Sequence, residues 1–476
     1  MYINNKILVG KSEKFDSYLL PNMANRHGII SGASGSGKTV TLKVLAEGFS
    51  SCGVPVFLVD IKGDLAGCAI NGSENENILK RLDKLKIENF EYTKFPITFW
   101  DVFGQFGHPI RTTVASIGSA LLAKMLNLTT TQEGVLMIAF KIAEDEQLEL
   151  IDLKDLRSLL TYIGEKRKEY TLTYGNITLQ SIGAIQRSIL ALEEEGGEFF
   201  FGKPALDFND FVHFDADNGY AHINILHASV LFTKPNLYST FLLWLLTHLY
   251  NSMPEVGDLD KPKLVLFFDE AHLLFDDMPE HLLDKMIQIV KLIRSKGIGV
   301  YFISQSPSDI PDPILSQLGN RIQHVLRYYT KNDEKAIKAA ANSFRENPLY
   351  NTQEEIKNLA TGEALVSFQN EFGQPTMVEK VTILPPQSKL GTILDVERKN
   401  FISNSYLYNK YETSIDEISA SEKITELEEK NSNKEVSKNE KKKKNKVDKA
   451  VDKLTNKTIN TIGRKLGNSI FKKLFK

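Results

Sequence analysis

The 476-residue sequence predicts an α/β protein with a mostly parallel sheet and helices on both faces. Three observations carry that expectation. A glycine-rich loop, Gly32–Thr39, sits between an extended stretch at His27–Ser31 and a helical stretch at Thr39–Cys52. The runs VPVFLVD (54–60) and LVLFF (264–268) are continuously apolar, the mark of strands covered on both faces. The order strand, loop, helix, strand over the first 60 residues begins a parallel α/β layer.

Taken in order, residues 1–31 read as short strands and turns, with Ile7–Val9 extended. The helix Thr39–Cys52 places Val40, Leu42, Val44, Leu45 and Phe49 at helical spacing. Helices then dominate: Val114–Leu126, Thr131–Glu144, Leu153–Lys168 and Leu179–Glu194. The α/β alternation returns after Leu206, with strands Tyr220–Leu226, Lys263–Phe268, Gly299–Ser304, Ile322–Tyr328 and Glu363–Gln369. Helices Leu237–Asn251, Pro279–Ser295 and Asn332–Phe344 separate them, and Pro385-Pro386 closes the ordered body. Residues 400–446 are rich in Asn, Ser, Glu and Lys and too polar to bury much surface. Val447, Val451, Leu454, Ile459, Ile462, Leu466, Ile470 and Leu474 then recur at helical spacing among Lys and Arg. The expected organisation is a core in two parts (1–110 and 201–385), a helical insertion (111–200), a flexible linker (386–446) and a basic amphipathic helix (447–476).

Composition narrows the function classes. Forty-two per cent of residues are apolar, enough for a large core. Cys52 and Cys68 form no C-x-x-C pair and have no histidine cluster nearby, which speaks against a zinc site or a disulfide framework. The chain opens without a signal-peptide pattern, and its longest uncharged apolar run, Ser239–Tyr250, falls short of a membrane span. A reducing, cytoplasmic setting is expected. Of the net charge of −2, residues 430–476 carry +12 and residues 1–429 carry −14. A nucleic-acid partner therefore gains no support from overall charge and needs a local patch or the tail.

The chemistry lies in three segments. Residues 32–39, GASGSGKT, fit G-x-x-x-x-G-K-[ST] at every fixed position. Gly32, Gly35 and Gly37 let the backbone close around phosphates, and the amides of Ala33, Ser34, Ser36 and their neighbours form an anion nest. The following helix, opening at Lys38, Thr39 and Val40, aims its positive end at the same point. Lys38 is expected on the β- and γ-phosphates of ATP, and Thr39 on Mg²⁺. The second segment is the buried run ending in Asp269-Glu270: Asp269 is read as the second Mg²⁺ ligand and Glu270 as the base that polarises water. The third, Gly299–Ser304 with Gln305 at its tip, is expected beside the loop-bearing strand, with Gln305 sensing the γ-phosphate. Arg294 and Arg321 are candidate arginine fingers acting in a neighbouring subunit. Asp60, Lys62 and Asp64, at the end of the 54–60 strand, are open to three readings: γ-phosphate contact, subunit contact or a plain loop.

Together these residues resemble the HerA–FtsK group of P-loop ATPases, nearest its bacterial HerA-like branch. The matching stretches are GIISGASGSGKTVTLKVLAE, VFLVDIKGDLAG, KLVLFFDEAHLLF, KLIRSKGIGVYFISQSPSDIPD and QLGNRIQHVLR, within about 28–345. The end of the chain, with Gly463, Arg464 and Gly467, is similar to that branch too. The resemblance implies a RecA-like core, a hexameric ring and translocation on double-stranded DNA. It assigns the ATPase roles to Lys38, Thr39, Asp269, Glu270 and Gln305, and the finger to Arg294 or Arg321. HerA proper has a β-barrel before the P-loop, whereas 31 residues precede it here, and 231 residues separate Lys38 from Asp269. The string Asp269-Glu-Ala-His272 also matches DEAH RNA helicases, but those need a second RecA-like domain, and none follows Tyr328.

Two other functions remain open: an ATPase that remodels or exports protein, and a nucleotide-dependent scaffold. The acidic body favours the first of these, and Glu270 speaks against the second. The terminal helix is expected to dock on the core, on a protein partner, on an anionic membrane or on nucleic acid.

Overall fold

The computed structural model describes residues 1–430 except 258, 276, 277 and 279, and beyond them residues 453 and 458 alone. The helix expected at 447–476 and the lysine run 441–444 fall outside the described residues.

Apolar runs buried on both faces form the centre of one 13-stranded sheet. Its strands are β1 Tyr2–Ile3, β2 Lys6–Lys11, β3 Asp16–Leu19, β4 Gly28–Ser31, β5 Val56–Asp60, β6 Ile97–Asp101 and β7 His108–Pro109. They continue with β8 Ile223–His227, β9 Leu264–Phe268, β10 Ile298–Ser304, β11 Asn320–Gln323, β12 Glu363–Ser367 and β13 Glu379–Ile383. The spatial order is β1-β2-β13-β12-β11-β4-β10-β9-β5-β8-β6-β7, with β3 paired to β2. From β11 to β7 the pairs are parallel, and the other end of the sheet is antiparallel.

Side chains alternate across a strand, so each apolar run feeds two cores. Leu264, Leu266 and Phe268 face one layer, while Val265 and Phe267 face the other. The second layer holds α1, Lys38–Ser51, and α2, Glu76–Leu85. The first holds α3 Val114–Met125, α4 Thr130–Asp145, α5 Leu153–Glu165, α6 Arg167–Tyr174, α7 Leu179–Glu194 and the helix Pro235–Ser252. The helices between β7 and β8 share a continuous apolar core with the sheet. The structure is thus α/β with helices on both faces. Within it, β6 and β13 were not expected. The expected strand at Ile322–Tyr328 is replaced by the shorter β11, because the chain leaves the sheet at His324 to support the glycine-rich loop.

The stretch after Pro386, expected as a flexible linker, is anchored on the core at intervals as far as Ile424. The amides of Gln387 and Ser388 donate to the Glu47 carboxylate of α1 at 2.7 and 3.1 Å. The helix Asp395–Ser403 lies on β6, with Arg398 buried over the Phe99 ring at 4.7 Å. Tyr411 is buried edge-on to Trp100, and Ser421 N donates to Asp155 of α5 at 2.9 Å. The segment straps the α1 layer to the α5 layer. Its average polarity conceals apolar residues spaced widely enough to be buried one at a time: Ile393, Leu407, Tyr411, Ala420 and Ile424.

Candidate nucleotide-binding and catalytic site

The loop Gly32–Thr39 joins the C-terminal end of β4 to α1, which begins at Lys38 after Gly37 at φ +114°. Its curvature is fixed from both flanking strands. Gly32 N donates to Ser304 O of β10 at 3.3 Å, and Ala33 N donates to Val325 O at 2.8 Å. Gly362 N donates to Ser36 O at 3.0 Å. Gly32 adopts φ +152°, and a Cβ there would lie 2.5 Å from His324 Cβ, so only glycine fits. Beneath the loop, Gln323 Oε1 accepts from Ser31 Oγ at 2.7 Å. His324 Nδ1 donates to Glu363 O at 2.9 Å, which leaves Nε2 to accept from Thr41 Oγ1 at 2.8 Å. Burial holds the His324 pKa down at about 4, so the ring stays neutral. Thr39 and Val40 occupy the first turn of α1, and the Ser36 hydroxyl is buried without a partner among the described residues.

On the other side of β4, β10 and then β9 bring the acidic residues to the same edge. Ala271 N donates to Ile303 O at 2.9 Å, and Tyr238 Oη donates to Asp269 O at 2.7 Å, pinning the turn after β9. Glu270 stands at φ +47°, rare for a non-glycine residue and a mark of strain kept at functional sites. Its Oε2 is buried, has no hydrogen-bond partner among the described residues and lies 3.5 Å from His272 Nδ1. Burial, and then the Glu270 charge, push the Asp269 carboxyl up to about 6, while Lys38 and Lys62 pull it down. Lys38 Nζ reaches back to the carbonyls of Gly32 and Ala33, the latter at 3.2 Å. Burial lowers its pKa against the fields of Glu270 and Asp269. One cation thus lies within electrostatic reach of two carboxylates at the loop end of the sheet. Gln305 is exposed at the tip of β10, on a turn held by Asp309, which accepts from Ser304 Oγ at 2.5 Å and Ser306 N at 2.9 Å.

Residues 5–473 match the family described as helicase HerA-like, C-terminal. The chain belongs to this family. This HerA-like chain is 31% identical over 121 residues to a protein of Methanocaldococcus jannaschii named "probable helicase". That match covers 25% of the chain and 21% of the relative, about a fifth of the relative's length. Its fold is similar to that of the plasmid coupling protein TrwB, solved in complex with the non-hydrolysable ATP analogue ADPNP. The TM-score is 0.51 at 16% identity, over 78% of this chain and 87% of TrwB. The fold is also similar to VirB4 of Thermoanaerobacter pseudethanolicus, with a TM-score of 0.50 at 15% identity over 80% and 97% of the two chains. These likenesses bear out the RecA-like fold and the HerA–FtsK resemblance. At such identities the solved structures speak for the fold alone.

The remaining expected residues of the HerA-like chain lie apart. Arg321 is near the start of β11, away from the loop end of the sheet, and its guanidinium donates to Leu318 O and Leu315 O, both at 3.0 Å. Arg294 precedes β10 at the same far edge, close enough to His27 for its charge to be felt there. Tyr238, Gln323, His324 and Arg81 were not singled out from sequence. Arg81 of α2 packs its guanidinium over Gly362, where a Cβ would come within 2.8 Å of Arg81 Cζ. Gln323 and His324 had only a faint signal, two polar residues where β11 ends, within the matching stretch QLGNRIQHVLR. Tyr238 and Arg81 had none, since both arrive from distant helices. Among the described residues no helix is long and apolar enough to cross a membrane, and no His/Cys/Asp/Glu cluster of three or more could hold a metal by itself.

Proposed function

We propose that the chain is an ATP-hydrolysing motor. The observation that carries this reading is the convergence of Lys38, Asp269 and Glu270 at the mouth of the glycine-rich loop. The loop amides take the phosphates, with Lys38 on the β- and γ-groups. The donor set fits a magnesium nucleotide: Asp269 is buried beside a second carboxylate, and Glu270 Oε2 and Ser36 Oγ are buried without partners among the described residues. Thr39 and Asp269 would hold Mg²⁺, which when bound neutralises phosphate charge. Glu270 takes a proton from the water as its oxygen bonds to the γ-phosphorus, and the bond from that phosphorus to ADP breaks. Gln305 orients the water.

DNA is the track that the helicase family favours, with subunits in a ring, six by the family resemblance. Arg294 or Arg321, at the far edge of the sheet, would then serve a neighbour's nucleotide. A second reading, an ATPase acting on protein, is favoured by the net charge of −14 on residues 1–429, since DNA binding relies on phosphate neutralisation. Steady-state ATP hydrolysis with and without double-stranded DNA at low salt separates the two, with Lys38→Ala and Glu270→Gln as controls. Stimulation by DNA that both variants abolish supports the DNA motor. Hydrolysis indifferent to DNA selects the protein substrate. Wild-type protein that binds ATP and never turns it over overturns both.

A further inference from the structure

The loop after β5 offers a charge that the roles above leave unused. β5 is hydrogen-bonded to β9 with Leu58 opposite Phe267, so Asp60 ends its strand level with Asp269. The chain then turns sharply over the sheet edge. Asp60 holds this turn by accepting from Gly63 N at 2.7 Å and from Leu65 N at 3.2 Å, and Gly63 supplies the left-handed residue at φ +77°. Asp60 is itself buried, and the Arg398 charge from the C-terminal strap acts on it. The turn is therefore built and held from beneath. At its tip stands Lys62, exposed, with no hydrogen bond or ion pair to any described residue. Its charge acts on two groups of the candidate site, Lys38 and Asp269. Two lysines beside each other repel, and such a pair is useful where a dense negative charge is to lie between them. Meanwhile Arg321 is occupied by the carbonyls of Leu315 and Leu318, and Arg294 lies at the far edge.

We infer that Lys62 is a second catalytic cation, supplied by the chain's own DIKGD turn, that contacts the γ-phosphoryl oxygens as the bond to ADP breaks. This rests on the ATPase reading above. In that transition state negative charge spreads over the three equatorial oxygens of the transferring group. Lys38 reaches them from the loop side and Lys62 from the β5 side, while Glu270 accepts the proton of the attacking water. Asp60 acts as a positioning residue, because it shapes the turn without touching the nucleotide.

The test uses the full chain with Lys62→Ala and Lys62→Arg. Steady-state hydrolysis is measured together with ADP affinity and with trapping of ADP by aluminium fluoride, a mimic of the transferring group. Lys62→Ala is expected to lower kcat by roughly 100-fold, the scale for removing one transition-state donor. KM for ATP and the affinity for ADP should stay near the wild-type values, the trapped complex should be lost, and Lys62→Arg should restore part of the rate. A Lys62→Ala protein with wild-type kcat, or one whose ADP affinity falls in step with kcat, overturns the inference while the ATPase reading stands. A wild-type protein that binds ATP without hydrolysing it overturns both.

Discussion

Replacing Glu47 with alanine removes the acceptor that ties the C-terminal strap to the helix following the glycine-rich loop. Glu47 is 1% exposed and receives Gln387 N at 2.7 Å, Ser388 N at 3.1 Å and Ser388 Oγ at 2.5 Å. Alanine strands two buried amides, each at about 1–3 kcal/mol, and the better helix propensity of alanine returns under about 0.5 kcal/mol. A net local cost of about 3 kcal/mol corresponds to roughly 100-fold faster opening of the strap. Hydrogen exchange followed by mass spectrometry reads this directly. Peptides covering 387–411 should exchange about that much faster, while β9 and β10 keep their protection. Burial raises the Glu47 carboxyl pKa, so Glu47→Gln, which keeps an acceptor oxygen, should fall between the two. Unchanged exchange at 387–411 in Glu47→Ala would refute the reasoning, and so would an equal rise across the whole chain.

Two further outcomes are expected. Burial lowers the pKa of His27, His108, His222 and His324 to about 4 each, below the unfolded value near 6.5. The stability they contribute is present above about pH 6.5 and is lost as pH falls towards 4. His27 accepts Val300 N at Nδ1 (3.1 Å), so protonation breaks a bond between the strands flanking the site. Thermal melts from pH 6.5 to 4.5 should fall less steeply in His27→Gln, and an identical slope would count against this account. Gly32→Ala combines backbone strain of about 1–3 kcal/mol with a clash against His324. It should weaken binding of a fluorescent ADP by at least about tenfold, one decade per 1.4 kcal/mol. Gly35→Ala, whose Cβ meets open space, should do less, and equal losses would rule out the His324 clash as the cause.

Much of the site was legible because its residues are neighbours in sequence. The loop, its lysine and the Asp269-Glu270 pair each belong to one short segment whose residue types have a single good use together. The helices between β7 and β8 were legible for the same reason: Leu179–Glu194 repeats its apolar residues every three or four positions and forms as expected. β6 was missed because its burial comes from pairing with β8, where Phe99 lies opposite Ile225, 126 residues onward, a distance at which no local pattern speaks.

By itself the sequence determined the fold class, the glycine-rich loop, the acidic pair and the family, since periodicity and motif spacing are local properties. Only the tertiary structure decided which residues support that loop, that the polar stretch after Pro386 straps the core, and that the Lys62 charge acts on Lys38 and Asp269 while Arg294 and Arg321 lie toward the opposite edge of the sheet. Those outcomes depend on strand order and on the edge of the sheet at which each turn emerges. Both are fixed by long-range pairing, where side chains hundreds of residues apart exclude water together.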